Sequence, residues 1–340
     1  HPKLRDAIVE YYNSRYGSTI TPENVMIFAG GRPGIYTVMA FLKKQVKVRI
    51  GNIEWPAYLD IMTQTDTDYE TVPFNKENNF HPKNAEYYDR NNLDEGTAIL
   101  PIISNPQNPS GQTRSGEELR ELIKIAEQPG NGILLDEAYE MFHSPSVSGI
   151  EFVQDLDSSN VFLSGACTKG LQSPGIRIGW IIASKRNIEI LANYSSFGMG
   201  GVSHPSQHYA IKLLDSSRVK KARKAVEEHY NWQRQRYGKA FKKMGLGVYT
   251  GNGGFYHWLE LPKGMTSDEL NNRLFKRGAA ILCAFDCDMG RPHSKDPKYK
   301  TPYDRFFRFS FGPLLPETFE ADIKLFREVY ETYKNEAGVD

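Results

Sequence analysis

Short apolar runs alternate with helix-period stretches through the first two thirds of the chain. Residues 46–50, 69–73, 98–103, 132–136, 161–164 and 178–183 are compact hydrophobic runs, too brief for helices and bounded by turn residues. Strands that stay apolar on both alternating faces are covered on both sides. The pattern therefore predicts an α/β fold, a mostly parallel sheet with helices on each face. Ser115 followed by Glu118 predicts a capping box at the head of a helix over 116–127, whose apolar face is Leu119, Leu122, Ile123 and Ala126. The opening residues HPKLRDAIVEYY read as an amphipathic helix.

Residues 206–243 form a long, charged, periodic stretch that predicts an interrupted linking helix. Beyond it the pattern changes to strands at 248–261, 279–283 and 306–310 with helices at 267–277 and 316–334, a smaller α+β unit. The expected division is a large domain over 16–220 and a small C-terminal domain over 221–340, with residues 1–15 packing on the latter. Residues 286–303, rich in charge and proline, read as one long loop.

Composition narrows the classes. The 340 residues are 39% hydrophobic and 24% charged, values of a globular chain rather than a disordered one. Lys and Arg number 42 against 41 Asp and Glu, a net charge of +1 that provides no field for gathering nucleic acid. The longest apolar runs fall far short of the roughly 18 residues a membrane span needs, so no membrane partner is expected. Cys167, Cys283 and Cys287 have no framework spacing, which fits a reducing cytoplasm and no disulfide. Cys283, Cys287 and His293 lack the further ligands a zinc site needs, so no metal is expected.

Ligands of α/β sheets collect where strands end, and five such loops carry unusual residues. The first, Gly30-Gly31-Arg32-Pro33-Gly34, opens a helix and offers backbone N–H groups to an anion, although alone it is an ordinary turn. The second, running from Ser104 to Gly111, stacks two Asn-Pro pairs, and Asn before Pro is held extended. The third places Asp136 and Glu137 at a strand end, where an inward carboxylate needs a cation or it neutralises. In the fourth, Lys169 lies among small residues, where desolvation makes an amine nucleophilic, and Arg177 follows eight residues on as a phosphate partner. The fifth is Arg308, set in the aromatic run Phe306-Phe307-Arg308-Phe309, a candidate carboxylate clamp. His204, His208 and His257 read as surface or core residues.

The ordered series GGRPG, WPAY, NPQNPSG, DEAY, TKGLQSPGIRIGW and FRFSF resembles the class I and II aminotransferase family of fold type I pyridoxal 5'-phosphate enzymes, over nearly the whole chain. That resemblance implies a transferase moving an amino group between an amino acid and a 2-oxo acid, working as a homodimer in the cytoplasm. It matches Lys169 to the Schiff-base lysine, Asp136 to the acid behind the pyridine nitrogen, and Tyr139 and Asn108 to the residues bonding the ring's phenolic oxygen. Tyr58 matches the aromatic stacked on the ring, and Arg177 with the backbone of Gly31 and Arg32 matches the phosphate cup. Arg308 matches the grip on the substrate α-carboxylate, beside Asn108. Ala166 replaces the phosphate-binding serine three residues before the lysine, which passes that bond to Thr168 or Ser164. The family also draws a tyrosine and a glycine-containing loop from just upstream of His1. A lyase, decarboxylase or cyclase on the same scaffold is the alternative, and a ligand-sensing domain without catalysis is a third reading.

Overall fold

The structure is a computed structural model that describes residues 1–196, 198–291 and 298–339. Its larger sheet contains β1 (Val25–Phe28), β2 (Lys47–Gly51), β3 (Tyr69–Val72), β4 (Ile99–Ser104), β5 (Ile133–Asp136), β6 (Val161–Ala166) and β7 (Gly179–Ile182) in the spatial order β1-β7-β6-β5-β4-β2-β3. Strands β3, β2, β4, β5 and β6 run parallel, whereas β7 is antiparallel to both β6 and β1. Along β5 the side chains alternate between two cores: Ile133 and Leu135 join one, Leu134 the other. The uninterrupted apolar runs follow from that double burial.

On one face lie the helices Gly31–Leu42, Ala57–Thr65 and Lys185–Ser196, contributing Ile35, Met39, Leu59, Met62 and Leu191. On the other lie Gly116–Ala126 and Pro2–Tyr16. Helix Pro2–Tyr16 corrects one expectation, because it docks on the large sheet and on helix His204–Leu213 rather than on the C-terminal unit. Its stripe Leu4, Ile8 and Tyr12 is fully buried, and the Trp180 indole N–H of β7 donates to the Tyr12 hydroxyl at 3.1 Å. The i, i+4 spacing of that stripe faces the sheet side that helix Gly116–Ala126 leaves uncovered.

The linking stretch is interrupted as its sequence implies. Helix His204–Leu213 ends at Leu214, and Asp215 caps helix Ser216–Lys243 by accepting from the Ser217 and Arg218 N–H groups. The second sheet holds β8 (Gly247–Val248), β9 (Tyr256–Glu260), β10 (Leu282–Cys283) and β11 (Phe306–Ser310), antiparallel in the order β10-β11-β9-β8. The single strand expected over 248–261 is thus two, parted by a turn through Gly251, Gly253 and Gly254, the last at φ +64°. The capping box is also absent. Ser115 holds the N-cap position without a side-chain bond, and the Glu118 carboxylate pairs with His81 at 2.6 Å instead. Asp286 belongs to a helical turn, Ala284–Cys287, while residues 292–297, with His293, lie outside the described residues. No helix among the described residues is long and apolar enough to cross a membrane.

Candidate active site

Three neighbouring strands are level where β4 and β5 end. Ser104 of β4 pairs in register with Asp136 of β5, and Asp136 with Ser164 of β6. The loops that follow these strands, together with the start of helix Gly31–Leu42 and strand β11, enclose a cavity of about 570 Å³. Asp136, Tyr139, Thr168, Lys169, Arg177 and Arg308 all line it, as do Gly31, Arg32 and Asn108. Residues from positions 31 to 308 thus meet in one chamber.

Asp136 stands at the floor, 7% exposed. Its two oxygens accept from the Tyr58 hydroxyl at 2.8 Å and the Ala138 N–H at 3.1 Å. Burial raises its carboxyl above the ordinary value, and it forms no ion pair among the described residues. A buried carboxylate that faces a cavity and has no ion-pair partner among the described residues suits a cationic ligand nitrogen. Glu137 points away and accepts from the Ser148 hydroxyl and the Gly149 N–H, both at 2.6 Å. Of the two acids at this strand end, one faces the cavity and the other ties the fold.

Lys169 is half-buried beside Arg308, and burial first, then the Arg308 charge, hold its ammonium below the usual lysine value. Arg308 Nη1 donates to Asn108 Oδ1 at 2.7 Å, and its guanidinium lies 4.2 Å from the centre of the Tyr256 ring. The Tyr256 and Tyr139 hydroxyls share a hydrogen bond. The two Asn-Pro pairs divide their labour. Asn105 spends its side chain on the loop itself, exchanging bonds with Arg114 N and O at 2.8 and 3.0 Å, while Asn108 faces the cavity.

The opposite end of the cavity is built for an anion. The N-terminal N–H groups of helix Gly31–Leu42 open toward it, and Arg177 folds across Gly30, where a side chain would collide with the guanidinium. Gly30 also holds φ +108°, a conformation that favours glycine. Ser164 Oγ, beside Gly31, is buried without a hydrogen-bond partner. A phosphate would give that hydroxyl, the free N–H groups and Arg177 their missing acceptor. Thr168 lines the wall nearby.

Tyr58 is not where its motif suggests. Its ring is completely buried and outside the cavity lining, serving Asp136 from below, and Trp55 lines the cavity instead, with the Arg32 guanidinium 4.9 Å from its ring centre. The reason is local: Trp55 precedes helix Ala57–Thr65 and stays in the loop, whereas Tyr58 enters the first turn and faces the core. Tyr256 was not foreseen either, since an aromatic in a mixed apolar run reads as core. His257 is core, its Nδ1 bonded to Thr250 Oγ1 and its imidazolium form suppressed by burial to about 3. Burial pushes the Cys167 thiol up to about 12.

The aminotransferase class I and II profile matches residues 1–312. An aspartate aminotransferase of Pyrococcus horikoshii is 28% identical over 284 residues, 83% of this chain and 72% of that protein. An LL-diaminopimelate aminotransferase of Dehalococcoides mccartyi is 24% identical over 287 residues, with the same shares. Among solved structures, a double mutant of Thermus thermophilus aspartate aminotransferase superimposes with a TM-score of 0.83 at 19% identity, covering 96% of this chain and 81% of that one. An aromatic aminotransferase from Pyrococcus horikoshii gives 0.83 at 21%, covering 98% and 87%. The chain belongs to the class I and II aminotransferases and is a pyridoxal-phosphate-dependent transferase that moves an amino group between an amino acid and a 2-oxo acid.

Proposed function

We propose that this cavity seats the pyridoxal phosphate, with its phosphate on Arg177, Ser164, Thr168 and the N–H groups near Gly31 and Arg32, and its ring nitrogen on Asp136. When bound, the pyridine ring accepts the electron pair freed at the substrate's Cα. Asp136, as the anion, keeps the proton on that nitrogen, and the Tyr58 hydroxyl holds the carboxylate in place. Trp55 would cover the ring face, and Tyr139 and Asn108 would donate to its phenolic oxygen. Lys169, its ammonium held below the usual value, would offer an unprotonated amine to hold the cofactor through its aldehyde with release of water, and would move a proton at Cα.

Charge accounting suggests the substrate class. Arg32, Lys169, Arg177 and Arg308 face the same cavity against the single acid Asp136 among its lining residues. The phosphate takes up Arg177, and the substrate α-carboxylate takes up Arg308. Arg32 forms no ion pair among the described residues and stands on Trp55, ready for a second carboxylate. An acidic amino acid with a matching 2-oxo dicarboxylate is therefore our reading, and the likeness to an aspartate aminotransferase supports it.

The free guanidinium of Arg32 is the observation that carries this reading. Arg32→Gln is expected to lower kcat/KM for aspartate and glutamate by about 10- to 100-fold, the worth of one hydrogen bond to a charged group, while apolar amino acids keep theirs. An equal loss on both classes, or none on either, contradicts the acidic substrate. Homodimeric assembly stays a proposal with light scattering as its check. A cytoplasmic setting is supported by three buried, unpaired thiols.

A further inference from the structure

Away from the cavity, three imidazoles converge on the surface. His204 and His208 stand four residues apart on helix His204–Leu213, which puts both on one face. His1 comes from the other side, at the N-cap of helix Pro2–Tyr16, the element packed against that helix. The ring centres are 5.2 Å apart for His1 and His204, 4.8 Å for His1 and His208, and 4.6 Å for His204 and His208. One nitrogen from each ring lies within 4.8 Å of the other two. Three imidazole nitrogens on a tetrahedral zinc ion, each at about 2.0–2.1 Å, stand roughly 3.4 Å apart. Side-chain rotation alone closes the difference, since His204 and His208 are solvent-exposed.

These rings have no other employment. Among the described residues neither His204 nor His208 makes a hydrogen bond or ion pair. His1 Nδ1 accepts the Lys3 N–H at 3.2 Å, and Nε2 has no hydrogen-bond partner among the described residues. Coordination through Nε2 moves the ring proton to Nδ1 and exchanges that one contact for a metal bond. Between the two exposed imidazoles, buried Gln207 ties the helix to its own lead-in, its amide donating to Val202 O at 2.9 Å.

We propose that His1, His204 and His208 form a binding site for a borderline divalent transition metal that clamps helix Pro2–Tyr16 to helix His204–Leu213. All-imidazole donors without a carboxylate select zinc, nickel or copper over magnesium or calcium. Three ligands leave a fourth position for water. None of the three residues borders the cavity, so the site is separate from the transamination chemistry.

The test uses the cofactor-loaded, full chain without a polyhistidine tag, titrated with zinc chloride and, separately, nickel chloride by calorimetry. One metal per chain is expected at micromolar or tighter affinity, with a rise in Tm. His204→Gln and His208→Gln are each expected to weaken binding at least tenfold, and His1→Gln to weaken it as well. Both helical substitutions are at exposed positions, and circular dichroism and unchanged cofactor absorbance verify that each variant folds. Absent binding at about 100 μM metal, or affinity that survives the His204→Gln/His208→Gln pair, overturns the proposal.

Discussion

Asn108 and Arg308 are joined across 200 residues of sequence by a hydrogen bond of 2.7 Å, from the guanidinium Nη1 to the amide Oδ1. The bond links the loop after β4 to β11, and so fixes Arg308 relative to Asp136 at the end of β5 and Lys169 in the loop after β6. Arg308 Nε remains buried without a partner, a donor left for the ligand. In the proposed site Arg308 pairs with the substrate α-carboxylate, so replacing it with Ala should cost about 2–5 kcal/mol of transition-state stabilisation. Steady-state kinetics should show kcat/KM reduced by at least about 30-fold. Arg308→Lys should recover only a small part, because an ammonium cannot make the two-pronged contact. Full recovery by lysine would contradict a bidentate grip.

Trp55 and Tyr58 separate two roles that the motif merges. Trp55→Ala should lower cofactor affinity by removing the ring's cover, measured by equilibrium dialysis of pyridoxal phosphate. Tyr58→Phe keeps the aromatic ring but deletes the bond that lowers the Asp136 carboxyl's affinity for its proton. It should weaken cofactor binding about tenfold or more, the value of one hydrogen bond to a charged group. A Tyr58→Phe protein with normal affinity would remove Tyr58 from the account of Asp136.

Glu137 makes a prediction about pH. Burial raises its carboxyl from 4.5 to about 8, ahead of the opposing Ser148 and Gly149 bonds. Between those values the folded protein holds a proton that the unfolded chain has released, so stability falls as pH rises across that window. Glu54 and Glu140, also buried and raised, act in the same direction. Chemical denaturation of the cofactor-free protein should show declining stability from about pH 6.5 to 8, above the range in which the buried His257, lowered from 6.5 to about 3, acts in the opposite direction. Glu137→Gln should flatten part of that slope, since its amide can accept from Gly149 and donate to Ser148. An unchanged slope would show that Glu137 is not the titrating group.

Much of this architecture was legible because its physics is local. Strands β4, β5 and β6 are buried on both faces, so their apolar runs are continuous, and the loops after them carry the site residues. Strand β1 escaped notice because it has four residues, only its two ends fully buried. The packing of helix Pro2–Tyr16 was misassigned because an amphipathic stripe declares that it is buried, not against what. Tyr58 was misplaced for a related reason. A motif fixes sequence spacing, while the helical turn beginning at Ala57 decides whether a ring three positions after Trp55 faces the cavity or the core. That Asp136, Lys169, Arg177 and Arg308 share one cavity follows from their positions in loops after strands and on one strand of the second sheet.

Lys169 gives the most direct test of the central claim. Borohydride reduction of the pyridoxal-phosphate-loaded protein, followed by peptide mapping, should find a stable cofactor adduct on Lys169 and none in Lys169→Ala. An adduct confined to a different lysine, or no adduct in the wild-type protein, would contradict the site described for this chain.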